Sequence, residues 1–341
     1  MKPYINKIHL DNKFKLIESS FLINLYKFYP NLIFKYFIFK LKLFRISIYP
    51  IFLLSNLLGM KKLSQHKYNL LQAEYLDIPS LKFTIRDTNS QFHSIYFDRF
   101  KSCYEPDVSA TLEIFLTEKS ILLDIGSNWG HHSFSAALKK KCSVIAFEPN
   151  QEVYRDFVRI NKQLGLVDKV KIHNCALSSV DSSLLLSQNY FDSGVASISQ
   201  SYSESVLTSH KSLNFLQRIF GVSTVEEVVK VKTLDSFKIE SATLIKIDAE
   251  GVELEILKGA KETIKSLRPI IIFEFFNGID ASINNFFDFF ANLNYVIYQV
   301  ICTKDVEDTV YTFILKKLVY ENLVANNQYN LLAISSEFSL E

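Results

Sequence analysis

The stretch that most constrains this chain is Ile121-Leu122-Leu123-Asp124-Ile125-Gly126-Ser127-Asn128-Trp129-Gly130. An apolar run enters an aspartate and is followed at once by Gly126 and Gly130. This reads as a buried parallel strand ending in a tight turn that opens a helix. In open α/β sheets small molecules bind beyond the carboxyl ends of the strands. With no Cβ, Gly126 is expected to let a ligand lie against the backbone, and Gly130 to let strand and helix approach.

The glycine spacing separates two ligand classes. A dinucleotide turn wants G-x-G-x-x-G, which brings helix N–H groups onto a pyrophosphate. Ser127, Asn128 and Trp129 offer no such glycine. An aspartate two residues before the first glycine is poorly placed for a diphosphate and well placed for an ammonium group, as S-adenosylmethionine carries. The next strand, Ser143-Val144-Ile145-Ala146-Phe147, delivers Glu148-Pro149-Asn150. The Glu148 carboxylate can accept two ribose hydroxyls in charge-assisted hydrogen bonds. Glu148 therefore argues for an adenosine-bearing ligand, and the glycine spacing for S-adenosylmethionine.

These residues resemble the FkbM-type methyltransferases, a branch of the class I S-adenosylmethionine-dependent enzymes. The resemblance rests on Asp124 to Gly130, Phe147-Glu148-Pro149-Asn150, Asn174-Cys175-Ala176-Leu177, Thr233-Leu234-Asp235, Lys246-Ile247-Asp248-Ala249-Glu250-Gly251-Val252-Glu253-Leu254, Leu257-Lys258-Gly259-Ala260 and Arg268-Pro269, which come in the family's order. One departure is His131-His132, where the family usually has an aromatic pair. The resemblance implies a class I, Rossmann-like methyltransferase domain over 104–341, with Ile125, Ser127, Asn128, Pro149 and Ala176 joining Asp124, Gly126, Gly130 and Glu148 around the cofactor. It also implies that Lys246, Asp248 and Glu250 lie beside the sulfonium, and that the methyl group passes to an oxygen.

Alternating strands and helices through the core independently predict an α/β fold with a doubly wound, mostly parallel sheet. A helix is expected from about 151 to 164 with Val153, Phe157, Ile160 and Leu164 on one face, and another carrying Leu257, Ala260, Ile264 and Leu267. Residues 68–103 alternate weakly and read as a small β lead-in. Glu105 reads as an exposed loop acid, with a reach to the cofactor as the alternative. Between Ser178 and Val231 the simple alternation fails, and the Ser-rich stretch around Asp192-Ser193-Gly194 is a candidate acceptor-binding insertion.

The net charge of +2 hides an asymmetry: residues 1–67 carry 12 Lys or Arg against Asp11 and Glu18, so the remainder is acidic. The segment is also densely apolar, but its longest charge-free run, Ile46 to Met60, is 15 residues and contains Pro50, short of the ~20 a spanning helix needs. It reads as a basic, apolar helical appendage lying in an anionic membrane interface. The alternative is a helical cap over the catalytic domain. No signal-peptide pattern is present, so the protein is expected inside the cell, peripheral on the inner face of the cytoplasmic membrane. The acidic catalytic part argues against a nucleic-acid partner. Cys103, Cys142, Cys175 and Cys302 are widely spaced and read as buried free thiols.

A hydroxyl acceptor is a poor nucleophile until its proton leaves, so a base near the methyl helps by ~10²- to 10⁴-fold. Asp248, Glu250 and His131 are the candidates, with Glu274 behind them. The structural alternatives are a carboxylate capping a helix for Asp248 and Glu250, a Lys246 partner for Glu274, and a packed ring for His131. Three acids from two strands do not make a metal-ligand signature, and no metal is expected. The expected acceptor is a glycan, a glycolipid or another hydroxyl-bearing small molecule. A reading from a different class is a non-catalytic membrane-associated scaffold, which would have no need to keep Asp124, Gly126 and Glu148.

Overall fold

The computed structural model describes residues 4–9, 14–16, 70–75, 81–86, 104–189, 192–197, 224–276, 282–304, 310–319, 323 and 327–338. Its strands are β1 Tyr4–His9, β2 Phe14–Leu16, β3 Leu70–Tyr75, β4 Lys82–Arg86, β5 Ile121–Ile125, β6 Ser143–Phe147, β7 Val170–His173, β8 Ala176–Leu177, β9 Ser182–Asn189, β10 Asp192–Ser197, β11 Thr224–Lys232, β12 Leu244–Ile247, β13 Ile270–Phe276, β14 Tyr295–Lys304, β15 Val310–Lys317 and β16 Gln328–Ser335. The helices are α1 Pro106–Phe115, α2 His131–Ser135, α3 Gln151–Gln163, α4 Glu253–Gly259, α5 Lys261–Leu267 and α6 Ile283–Ala291. A π turn, Ala136–Lys140, continues α2.

The expected doubly wound sheet is present. Its order is β1-β15-β14-β16-β13-β12-β5-β6-β7. β13, β12, β5, β6 and β7 pair in parallel, and β16, β14, β15 and β1 add antiparallel strands. Alternation along the central strands sends Leu122, Val144, Leu244 and Ile272 to a core shared with α1, α2 and α3. Leu123, Ile145, Ile245 and Ile271 go to a second core shared with α4, α5 and α6. Strand order reverses between β5 and β12, and at such a switch point the carboxyl ends leave a crevice for a ligand.

Two pieces of the segment read as helical are strands. β1 pairs with β15 from Tyr4↔Leu315 to His9↔Val310, and β2 pairs with β3. Tyr4 and Ile8 pack on the core while Ile5 and Lys7 face solvent. Pairing with the edge of β15 thus overrides a helical reading based on composition. The rest of residues 1–67 lies outside the described residues. Among the described residues no helix is long and apolar enough to cross a membrane.

Other departures have local causes. The single helix expected to carry Leu257, Ala260, Ile264 and Leu267 is two, meeting at Ala260. Asp235 reaches across from a 3₁₀ turn to accept hydrogen bonds from the Glu262 and Thr263 backbone N–H groups, capping α5 and fixing the break. Between β14 and β16 the chain forms a further strand, β15. The irregular stretch after Ser178 forms a second sheet, β10-β9-β11-β8, in which Asp192-Ser193-Gly194 opens β10. Cys142 and Cys175 are buried free thiols pushed up to about 11 by that burial, whereas Cys302 is only partly buried. Cys103 lies outside the described residues.

Candidate active site

The turn after β5 is strapped to its neighbours by backbone. Gly126 N and Ser127 N both donate to the Phe147 carbonyl at 3.1 Å, as does Ser127 Oγ. Asp248 N donates to the Ile125 carbonyl at 3.1 Å, so Ile125 acts through its backbone while its side chain lies in the core. Gly126 has φ +72°, and a Cβ there would stand 2.8 Å from the Asp248 carbonyl carbon and closer still to its oxygen. The expected reason for this glycine was room for a ligand. The structure gives another: β5 and β12 exit too close together for any side chain. Gly130, at φ +94°, lies against the Phe157 ring of α3, so the approach it permits is that of the turn to α3 rather than of the strand to a helix.

Two carboxylates frame this turn. Asp124, fully buried at the end of β5, accepts a 2.6 Å hydrogen bond from Ser133 Oγ on its Oδ2. Its Oδ1 has no hydrogen-bond partner among the described residues; the nearest cation, Lys246 Nζ, is at 3.6 Å. Glu148 accepts Asn128 N on Oε2 and Asn150 N on Oε1, each at 2.8 Å. Burial pushes its carboxyl up to about 7 against these two donors. Asn128 reaches it from a left-handed conformation, φ 50°. Asn174 Nδ2 donates to the Glu148 and Pro149 carbonyls at 2.9 and 3.0 Å. Ala176 stands apart, with its side chain packed among Leu186, Val229 and Val231 of the second sheet.

These residues fit an S-adenosylmethionine-like ligand. Asp124 Oδ1, buried and without a hydrogen-bond partner among the described residues, is an acceptor suited to an ammonium group. Each Glu148 oxygen, bonded to one N–H, keeps a lone pair for a ribose hydroxyl.

Lys246 joins this frame to the acids beyond it. The pairing of β12 with β5 sets Lys246 beside Asp124. Only 3% exposed, it lies 3.2 Å from Asp248 Oδ2 and 3.4 Å from the Gly126 carbonyl. Burial disfavours its charge, but Asp248, Asp124 and Glu105 outweigh that and hold the ammonium above its ordinary range. Burial raises the Asp248 carboxyl, with Lys246 opposing and Glu105 adding to the rise. The Asp248 side chain keeps 26% exposure, so an acceptor can reach it.

Glu250 follows with φ 56° and Gly251 with φ 100°. The buried Glu253 fastens this loop by accepting Ala249 N at 2.9 Å and Gly251 N at 3.0 Å. That role was not evident from sequence, although an acid at the start of a helix beside a glycine turn is a signal for it. Glu274 accepts from Gln328 Nε2 rather than from Lys246. Burial, with Asp248, Glu250, Glu253 and Glu105 nearby, raises it to about 11, which favours its neutral form over that of a base.

The two histidines divide. His131 is boxed by the rings of Tyr104, Trp129 and His132. Burial holds its pKa well below the ordinary value, and at 2% exposure it offers an acceptor no access. His132 instead places Nε2 2.9 Å from Glu105 Oε2, so Glu105 is an engaged group of the site and not a free loop acid. Among the described residues no group of His, Cys, Asp or Glu is arranged to hold a metal.

The Methyltransferase FkbM domain matches residues 124–297, from Asp124 at the end of β5 into β14. The chain belongs to this family. Among FkbM relatives and other methyltransferases, Methyltransferase 1 of Beauveria bassiana is 31% identical over 152 residues, 42% of this chain and 59% of that protein. The hexuronic acid methyltransferase AglP of Haloferax volcanii is 27% identical over 177 residues, 52% of this chain and 64% of that one. The chain thus spans less than two thirds of either relative. The crystal structure of an FkbM methyltransferase from Methylobacillus flagellatus aligns with TM-score 0.37 at 14% identity, over 59% of this chain and 44% of that one. TrmK of M. capricolum, solved with S-adenosyl-homocysteine, aligns with TM-score 0.34 at 13% identity, over 63% and 70%. Scores this low carry no argument about function.

Proposed function

We propose that this FkbM family member is an S-adenosylmethionine-dependent methyltransferase that methylates an oxygen of a glycan or a lipid-linked hydroxyl compound. The observation that carries the reading is the carboxylate pair at the ends of β5 and β6: Asp124, with one buried oxygen lacking a hydrogen-bond partner, and Glu148, with a lone pair left on each oxygen. Asp124 would bind the ammonium and Glu148 the ribose hydroxyls. The bound sulfonium supplies an electrophilic methyl group. The chain's own contribution is to bind, to align the acceptor oxygen and to exclude water. Asp248, reachable and with its carboxyl raised by burial, would receive the acceptor's hydroxyl proton. Lys246, 3.2 Å away, holds that carboxylate in place.

The sugar acceptor draws support from the name of the Haloferax relative, a hexuronic acid methyltransferase. The basic N-terminal segment supports an acceptor presented at an anionic membrane surface. The test is calorimetric titration with S-adenosylmethionine and S-adenosylhomocysteine, followed by transfer of a labelled methyl to a panel of neutral and uronate-bearing glycans and glycolipids. Asp124→Asn removes one side of a charge-assisted bond of about 1.5–3 kcal/mol, so its Kd should rise roughly 10- to 100-fold. Wild-type protein that binds neither ligand would overturn the assignment.

A further inference from the structure

His132 does more than an aromatic ring at its position would. It stacks on Tyr104 at 5.7 Å and 30°, the contact a phenylalanine would make, and it also holds Glu105 through Nε2. Glu105 meets it from the residue before α1, with φ 42°, a left-handed conformation that costs a non-glycine residue of order 1–3 kcal/mol. The α1 entrance and α2 cover the sheet face that Asp124, Lys246 and Asp248 share by alternation.

We propose that the His132–Glu105 pair is a positioning device for Asp248: His132 keeps Glu105 ionised, and the Glu105 charge makes Asp248 a stronger proton acceptor than its pairing with Lys246 alone would allow. The inference rests on the reading of Asp248 as the group that receives the acceptor proton. An isolated ion pair with a buried lysine favours the charged carboxylate and weakens it as a base. Asp248, just past the end of β12, is faced by Lys246 from that strand, Glu105 from the α1 entrance, His132 from α2 and Glu274 from β13. Glu105 is faced by His132, Lys246, Tyr104 and Asp107.

At Glu105 burial pushes the carboxyl up, but the His132 hydrogen bond and charge, with Lys246, bring it below its ordinary value. At Asp248 burial and Glu105 together prevail over Lys246. Two carboxylates beside one lysine are thus driven apart, the pattern by which a site separates a fixed charge from a working base. Glu105 acts on Asp248 more strongly than His132 does. Losing Glu105 therefore lowers Asp248 whichever protonation state His132 takes.

The test is a carboxyl ¹³C NMR titration of the full chain labelled at aspartate or glutamate, with the two resonances assigned by their loss in Asp248→Asn and Glu105→Gln. In Glu105→Gln the Asp248 midpoint should fall by about one pH unit. In His132→Phe, which keeps the ring on Tyr104 but cannot donate, the Glu105 midpoint should rise by a similar amount. His132→Gln, which can donate, should reverse most of that rise. An unmoved Asp248 midpoint in Glu105→Gln overturns the proposal, and so does an unmoved Glu105 midpoint in His132→Phe. If His132→Phe does not fold, the near-isosteric Glu105→Gln decides alone. None of these midpoints depends on turnover. Failure of methyl transfer with every acceptor would sink the proposed reaction and leave them readable, whereas unmoved midpoints would sink this inference and leave that reaction standing.

Discussion

Replacing Gly126 by alanine separates two reasons for a glycine at the head of the turn after β5. At φ +72° an L-residue pays about 1–2 kcal/mol for the left-handed backbone. The new methyl group would meet the Asp248 carbonyl, which is backbone and cannot swing aside as a side chain could. Parting the exits of β5 and β12 adds an overpacking cost of about 1–3 kcal/mol. The hydrogen bond from Asp248 N to Ile125 O lies in the same gap, and losing it adds about 0.5–1.5 kcal/mol. The total is about 3–6 kcal/mol. At roughly 2–4 °C per kcal/mol for a large domain, the thermal midpoint should fall by about 6–24 °C. Lys246 contacts the Gly126 carbonyl and Asp248 together, so cofactor affinity should fall with stability. Thermal unfolding followed by circular dichroism, with calorimetric titration of S-adenosylhomocysteine, measures both. If the glycine were there to make room for a ligand, Gly126→Ala would keep the wild-type midpoint and lose only affinity, and that result would refute the steric argument.

Two further outcomes follow from burial. Because Glu148 is raised to about 7, cofactor affinity should decline as pH drops below that value, by up to about tenfold per pH unit, and Glu148→Gln should bind weakly with a flat profile; a wild-type affinity independent of pH counts against Glu148 as the ribose acceptor. The same shift sets a sign for stability: the folded pKa lies above the ordinary 4.5, so this group's contribution is most favourable below about 4.5 and is lost as pH rises to about 7, which urea unfolding of wild type and Glu148→Gln across that window measures. Phe83 of β4 stacks at 6.0 Å on Trp129, the chain's single tryptophan and part of the cofactor turn; Phe83→Ala should cost about 3–5 kcal/mol, red-shift the tryptophan emission and weaken cofactor binding, and an unchanged emission spectrum would show that the small sheet does not brace the turn.

The parts of this fold legible in the sequence are those whose causes are local. β5, β6, β12 and β13 are buried on both faces and so read as unbroken apolar runs. The inward face of α3, with Val153, Phe157 and Ile160, repeats at helical spacing. What could not be read depends on partners distant along the chain. Tyr4–His9 becomes a strand because β15 offers an edge some 300 residues later. The break at Ala260 needs Asp235 to cap α5 from another element. Gly126 looked like a ligand glycine because the backbone that excludes a side chain there belongs to Asp248.

The histidine pair shows where sequence spacing loses resolution. His131 and His132 are adjacent on a helix, so their side chains leave the axis about 100° apart and enter different surroundings. Which of them meets the site depends on the rotation of α2, and that rotation is set by contacts made after folding: Gly130 against Phe157, Phe134 edge-on to the same ring, and Ser133 bonded to Asp124. With Ser133 directed at the Asp124 carboxylate, His131 turns into the aromatic box of Tyr104 and Trp129, and His132 turns toward Glu105. The hydrogen bond from Ser133 to Asp124 therefore fixes which side of α2 meets the end of β5, and with it the different surroundings of the two imidazoles.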